Sequence, residues 1–315
     1  MRCLNKMRFV IVGAGAVGAL VGAQLARAGH GVSFWVRPAH RSARARLKIE
    51  SVNKGGASFE VDTEFLGPGD TAPAADWIFV CVRGEQLDET LQQIAAQFGV
   101  ACNLVISAVS FESVVQRARS CGLQGRVLAH HVSFGVHRDP GDTERFLWFP
   151  FSAPSIVSAE DERDNLASAR TLASALDQAG LRSVAMLSAR NSMKFMMALS
   201  APFLAAWDVC NFELERLAQN HELRRLTAGA MVEGARSQAF TGPSRLLQLL
   251  PAVFWSCVLR LLPFVIGRNG REVWVYHGPK VREQTRYFLE LLLQSSAPLP
   301  ALRALAQRFE HGDHA

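Results

Sequence analysis

The residues best suited to chemistry stand near the start of the chain, in Arg8-Phe-Val-Ile-Val-Gly13-Ala14-Gly15-Ala16-Val17-Gly18. Three glycines at this spacing, after an apolar run and before a helical pattern, suit the binding of a dinucleotide by its pyrophosphate. Gly13 is expected to make the tight turn and Gly15 to let the backbone come close to the phosphates. Gly18 is expected to let the helix pack on the strand. The open amides and the dipole of the helix start, spanning Ala14, Ala16 and Val17, favour an anion there. The alternative is a glycine-rich strand-to-helix turn that holds no ligand.

The choice of dinucleotide is read at the end of the second strand, about 20 residues further on. An acidic residue there would hold the ribose hydroxyls of NAD. This chain has Phe34-Trp35-Val36-Arg37, with His40 and Arg41 beyond. No carboxylate stands there to repel a 2′-phosphate, and the Arg37 guanidinium is suited to bind one. NADP is therefore the expected cofactor.

No metal site is expected. The six cysteines form no CxxC pair, and they are expected to be reduced thiols of a cytoplasmic protein. His130 and His131 are adjacent on an expected strand, so they face opposite sides and cannot chelate one ion together. His311 and His314 fall in a polar tail expected to be disordered. Neither GxSxG, HExxH nor a P-loop is present.

The elements that position these residues follow from pattern. Short apolar runs at 9–12, 32–36, 77–82, 104–107 and 127–134 read as strands, and 146–156 as a return of β structure. Helical patterns at 16–28, 87–98, 111–120 and 160–179 lie between them. Near-continuous apolar strands joined by helices indicate a parallel sheet covered on both faces. Beyond Leu187 the pattern is helical, at 192–207, 213–240, 246–262 and 279–293. The expected fold is α/β, a Rossmann-type doubly wound parallel sheet at the N-terminus followed by an all-α C-terminal domain. Residues 1–186 are expected to form the NADP-binding domain, and 187–315 the helical substrate and dimerisation domain.

At 315 residues the chain is long enough for two domains. Its hydrophobic half and modest charge exclude disorder. A net charge of +6 favours anionic ligands. The cations form no long stripe with interleaved aromatics, which argues against nucleic acid. The run Leu246 to Gly267 approaches a membrane span in length, but Pro251, Pro263 and Arg260 interrupt it. Buried helices or a dimer interface are the expectation there, and peripheral membrane contact the alternative.

The glycine motif, with Ala26 to Arg37 following it, resembles ketopantoate reductase (2-dehydropantoate 2-reductase). That family has a basic residue after its fourth strand and a glutamine three positions later. Arg83 and Gln86 match, and the resemblance implies that they help hold NADP; a solvated loop is the alternative. It further implies an NADPH-dependent reduction of a 2-oxo acid, in which a lysine early in the second domain protonates the keto oxygen. Lys194 falls at that place. Among Met193, Phe195, Met196 and Met197 it would be partly desolvated, which lowers a lysine pKa toward the useful range for an acid. A lysine snorkelling from an amphipathic helix is the alternative.

Asn211, in Asn211-Phe-Glu-Leu, looks like the family's substrate-binding asparagine, and is otherwise suited to cap a helix. Glu283 is the nearest candidate for the glutamate that supports the lysine, with a solvated glutamate as the alternative. Arg282 or Arg286 is a further candidate for holding a substrate carboxylate. The chain also departs from the family. Ala198 replaces an asparagine four residues after the lysine, and Ala201 and Pro202 stand where a second belongs. Ile106-Ser-Ala-Val-Ser-Phe lacks the one after the fifth strand. Lost hydrogen bonds of this kind change selectivity sharply. They motivate a second expectation, a non-catalytic NADP-binding sensor or interaction protein on the same scaffold.

Overall fold

In a computed structural model, the structure describes residues 6–38, 45–52, 56, 58–107, 113–151, 153–160, 162–237 and 249–312. Cys3, His40, Arg41, residues 108–111, 238–240 and 246–248, and His314, all of which entered the sequence reading, lie outside them. The chain divides into two compact units, Met1–Arg190 and Asn191–Ala315.

The first unit is built on strands β1 (Arg8–Val12), β2 (Gly31–Trp35), β3 (Ala45–Ser51), β4 (Ser58–Leu66), β5 (Trp77–Val80), β6 (Leu104–Ile106), β7 (Val127–His131), β8 (Phe134–Arg138), β9 (Arg145–Pro150), β10 (Ser155–Ser158) and β11 (Ser183–Met186). They form one eleven-stranded sheet in the order β11-β10-β7-β6-β5-β1-β2-β4-β3-β9-β8. At its centre, β4-β2-β1-β5-β6-β7 are parallel throughout. This is the 3-2-1-4-5-6 order of a dinucleotide-binding sheet, with its switch point between β1 and β5. The pairs β3·β4, β7·β10 and β8·β9 are antiparallel, so the complete sheet is mixed.

Helices α1 (Ala16–Arg27), α2 (Leu87–Phe98), α3 (Val114–Ser120) and α4 (Leu166–Gln178) cover the sheet. Alternation within each strand builds the two cores. Phe9, Ile11, Phe34 and Phe79 join α1 and α4 on one face, while Val10, Val12, Ile78 and Val80 join α2 and α3 on the other. Such strands are buried on both sides, and therefore read as continuous apolar runs. Small residues bring α1 close: a Cβ on Gly22 would lie 2.3 Å from the Phe34 ring.

Some boundaries differ from the sequence reading. The run 127–134 is broken after His131, and the chain turns away so that β8 pairs with β9 instead. Strands β3, β4 and β11 were not anticipated, and Glu160 precedes α4 rather than starting it.

The second unit is helical: α5 (Arg190–Val209), which begins on the last residue of the first unit, then α6 (Leu214–Gln219), α7 (His221–Ser237), α8 (Ala252–His277), α9 (Arg282–Leu293) and α10 (Pro300–His311). Residues 213–240 are not one helix, because the chain breaks at Asn220, whose side-chain oxygen accepts from Leu223 N at 3.0 Å. His311 closes α10 instead of lying in a disordered tail. Within this unit α7 packs against α8 and α10. The apolar run at 246–267 is only partly buried. Val253, Leu261, Phe264 and Val265 of α8 are 71, 56, 83 and 78% exposed. Among the described residues no helix is long and apolar enough to cross a membrane.

Candidate cofactor site and the lysine helix

The glycine loop stands at the switch point of the sheet. Gly13 follows β1 with φ +97°, a conformation that side chains resist, and its N–H donates to Trp35 O at 3.3 Å. A Cβ there would lie 2.4 Å from the Cys81 carbonyl oxygen at the end of β5. At Gly18 a Cβ would stand 2.0 Å from Gly13 O and 3.2 Å from Ile11 Cγ2, so glycine lets α1 seat on β1. Gly15 differs: a Cβ there would meet nothing within 4 Å. It is the N-cap of α1 and supplies no side chain to the first turn. The space in front of Gly15 and the helix start at Ala16 and Val17 therefore suit a pyrophosphate held by backbone amides.

The other expected cofactor residues come to the same edge. Arg37, exposed, follows β2 by two residues, and the Trp35 carbonyl that precedes it accepts from Gly13. Cys81 N donates to Val12 O at 2.8 Å, which ties the loop after β5 to the end of β1. Arg83 is the N-cap of a 3-10 turn, Gly84–Gln86, and Gln86 leads into α2. Arg117 of α3 holds this turn: its Nη2 donates to Gly84 O at 3.0 Å, and its Nε to Asp88 at 2.8 Å. The structure thus gathers Gly13, Ala14, Gly15, Ala16, Val17, Gly18, Arg37, Arg83 and Gln86 at one edge. A dinucleotide fits this donor set: glycines where a Cβ would clash or close the approach, and cations beside them.

Three features of this unit escaped the sequence reading. Arg138, at the end of β8, donates from Nη2 to Ala14 O at 3.3 Å. Ser107 follows β6, and its Oγ lies 3.2 Å from His130 Nδ1. Burial pushes the His130 pKa down to about 3, with the charge of His131 adding to the effect, and burial pushes His131 down to about 4. The third is a polar hub before α5. Ser158 Oγ accepts from Ala189 N and donates to the buried Glu160 carboxylate, whose other oxygen lies 3.6 Å from Arg190. Glu160 has φ +50°, a conformation sustained here by these bonds. Glycine spacing made the loop visible, whereas no motif marks any of these three.

In the second unit Lys194 is the fifth residue of α5 and is half-buried. Of its expected apolar neighbours, Met197 is buried and Met196 is 56% exposed, while the side chains of Met193 and Phe195 lie outside the described ones. Asn211 stands just past the other end of α5, exposed, with φ +53°. It is not the cap of α6, which is Glu213. Asparagine tolerates the left-handed conformation that ends α5, and Phe212 shares it at φ +60°. Glu283, in the first turn of α9, is an exposed side chain clasped by Arg286 at 2.6 and 2.7 Å. No hydrogen bond or ion pair joins any two of Lys194, Asn211 and Glu283.

Neither Arg282 nor Arg286 is free to receive a carboxylate. Arg282 lies 3.5 Å from buried Asp208, and Arg286 also holds Glu310 at 2.8 Å. The two alanines that replace family asparagines are core positions. Ala198 and Ala201 are wholly buried, and a Cβ on Gly234 of α7 would stand 3.0 Å from Ala198 O. An asparagine at 198 would enter a tight helix contact with a polar group to satisfy. Among the described residues no cluster could hold a metal ion.

Comparison with known proteins bears on the fold. Residues 9–145 match the sequence model of the ketopantoate reductase PanE/ApbA family. No curated protein matches the chain. Among solved structures, a PanE/ApbA family ketopantoate reductase from Ralstonia eutropha JMP134 is 17% identical over 98% of both chains, with a TM-score of 0.69. D-mandelate dehydrogenase, solved with NADH and anilino(oxo)acetate, is 14% identical over 98% of both chains at 0.70. A dimeric ketopantoate reductase from Staphylococcus aureus is 11% identical, covers 98% of this chain and 99% of that one, and has a TM-score of 0.66. At such identities the likeness establishes the fold, a Rossmann-type domain followed by a helical one. The likeness to the ketopantoate reductase PanE/ApbA family thus falls on residues 9–145, the part of the chain that carries the glycine loop.

Proposed function

We propose that the protein is an NADPH-dependent oxidoreductase that reduces the keto group of a small 2-oxo acid. One observation carries the reading: a glycine loop at the switch point, open in front of Gly15 and flanked by Arg37, Arg83 and Gln86. The amides of 14–18 would hold the pyrophosphate, with Gly13 and Gly18 setting their direction. Arg37 would take the 2′-phosphate by charge-assisted hydrogen bonds, and Arg83 and Gln86 would support the same end. D-mandelate dehydrogenase was solved with NADH; the arginine at the end of β2 favours NADP here. The bound nicotinamide would supply the hydride. Lys194, as an ammonium, would give its proton to the carbonyl oxygen as negative charge develops there. Asn211 is proposed to contact the substrate and Glu283 to support the lysine, both on the family resemblance alone. The free cysteines suit a reducing compartment, and the cytoplasm is proposed on that ground. A homodimer is proposed from the exposed apolar face of α8, in keeping with the dimeric relative.

The test is NADPH oxidation by the purified protein, followed at the nicotinamide absorbance, first with ketopantoate and then with a panel of 2-oxo acids. Turnover that disappears in Lys194→Ala supports the reading. NADPH binding without turnover on any carbonyl substrate would point to the non-catalytic sensor instead.

A further inference from the structure

Arg138 has no part in the function proposed above, although it lies against the glycine loop. Residues 138 and 146 are paired across β8 and β9, and the Arg138 guanidinium lies 5.2 Å from the centre of the Phe146 ring. This stacking holds the side chain along the sheet, and its Nη2 donates to Ala14 O at 3.3 Å. The adjacent Asp139 is taken by Arg145 at 3.2 Å, and among the described residues no carboxylate pairs with Arg138. An exposed guanidinium thus stands beside the positive end of α1, whose first turn holds no acidic residue. Two positive groups side by side repel each other unless an anion lies between them. A guanidinium has five N–H donors in a fixed fork, and the bond to Ala14 uses one.

We propose that Arg138 is a cofactor-binding residue, which clamps the pyrophosphate of the dinucleotide from the side opposite the loop amides. The proposal rests on the reading of Gly13 to Gly18 as the dinucleotide site, and adds to it a cation from a strand about 120 residues away in sequence. In this role the bond to Ala14 O sets the position of the guanidinium, and the charge acts on the phosphates.

Equilibrium titrations of wild type, Arg138→Ala and Arg138→Gln test this, using nicotinamide fluorescence for NADPH and calorimetry for ADP and adenosine 2′-monophosphate. Loss of one charge-assisted contact should weaken NADPH and ADP about 10- to 100-fold in Arg138→Ala. Adenosine 2′-monophosphate, which lacks the pyrophosphate, should bind as in wild type. Glutamine keeps an N–H for Ala14 O but not the charge, so Arg138→Gln should bind as weakly as alanine. Full recovery in Arg138→Gln would overturn the proposal, since the side chain would then only brace the loop. Equal weakening of all three ligands would overturn it too. Wild-type protein that binds neither NADPH nor NADH would remove the underlying cofactor reading, a failure distinct from both.

Discussion

Gly13 is seated on the Cys81 carbonyl, so the first glycine of the cofactor loop and the loop after β5 share one contact that leaves no room for a Cβ. Gly15, two residues on, faces open space. This contrast separates two kinds of glycine. Gly13→Ala should destabilise the fold by about 2–4 kcal/mol, from positive φ and steric clash together, and should lower the melting temperature. Gly15→Ala should leave stability within roughly 0.5 kcal/mol, yet weaken NADPH binding by blocking the approach of the phosphates. Equal melting temperatures for the two variants would contradict this account.

Arg37 is the residue proposed to set the cofactor preference. Arg37→Ala should weaken NADPH about 10- to 100-fold and leave NADH nearly unchanged. Parallel loss of both would mean that Arg37 does not meet the 2′-phosphate. Competition binding with the two nucleotides measures this directly.

Lys194→Ala should lower turnover by about 10²- to 10⁴-fold, the usual range for a lost proton donor, with NADPH affinity unchanged. Glu283 makes an exposed pair with Arg286, worth no more than about 1 kcal/mol. Glu283→Gln should therefore keep its melting temperature within a few degrees, so that any fall in its turnover reports on the support of Lys194. Full turnover in Glu283→Gln would remove Glu283 from the chemistry.

The paired histidines of β7 should make the sheet acid-sensitive. Their pKa values are lowered in the folded state, to about 3 for His130 and about 4 for His131. The unfolded chain, with an ordinary value near 6.5, therefore takes up protons first. Stability from keeping these rings neutral is complete above about pH 6.5. It is lost as pH falls toward the folded values, by roughly 1.4 kcal/mol per pH unit for each ring. Thermal melts between pH 7 and pH 5 should show the decline, and the double variant His130→Gln, His131→Gln should flatten it.

The exposed stripe of α8 should govern association. Phe264→Glu with Val265→Glu places two charges on its exposed face, where the native side chains are 83 and 78% exposed. A dimer built on this face should become a monomer in sedimentation equilibrium, with the helical content unchanged. An unaltered mass would remove α8 from the interface.

The loop of residues 13–18 was legible in the chain because glycine spacing records a steric need local to one strand and one helix. The central strands were legible for a similar reason: burial on both faces leaves an unbroken apolar run. Strands β3 and β4 were hidden by their charges. Leu47 and Ile49 face the core, while Arg46, Lys48 and Glu50 face outward and pair with Asp62, Asp142 and Arg145. A half-exposed strand rich in ion pairs carries a weak apolar signal. Ala198 reads in one dimension as a lost hydrogen bond, and becomes a helix contact only when Gly234 is brought against it. Arg138 has no local signature at all. Its position beside Ala14 depends on β8 pairing with β9 and β9 with β3, at the far edge of the sheet. Local patterns specify turns, caps and buried runs, because those are decided within a few residues. Which cation meets which loop is decided by strand pairing between distant segments, and that belongs to the tertiary structure alone.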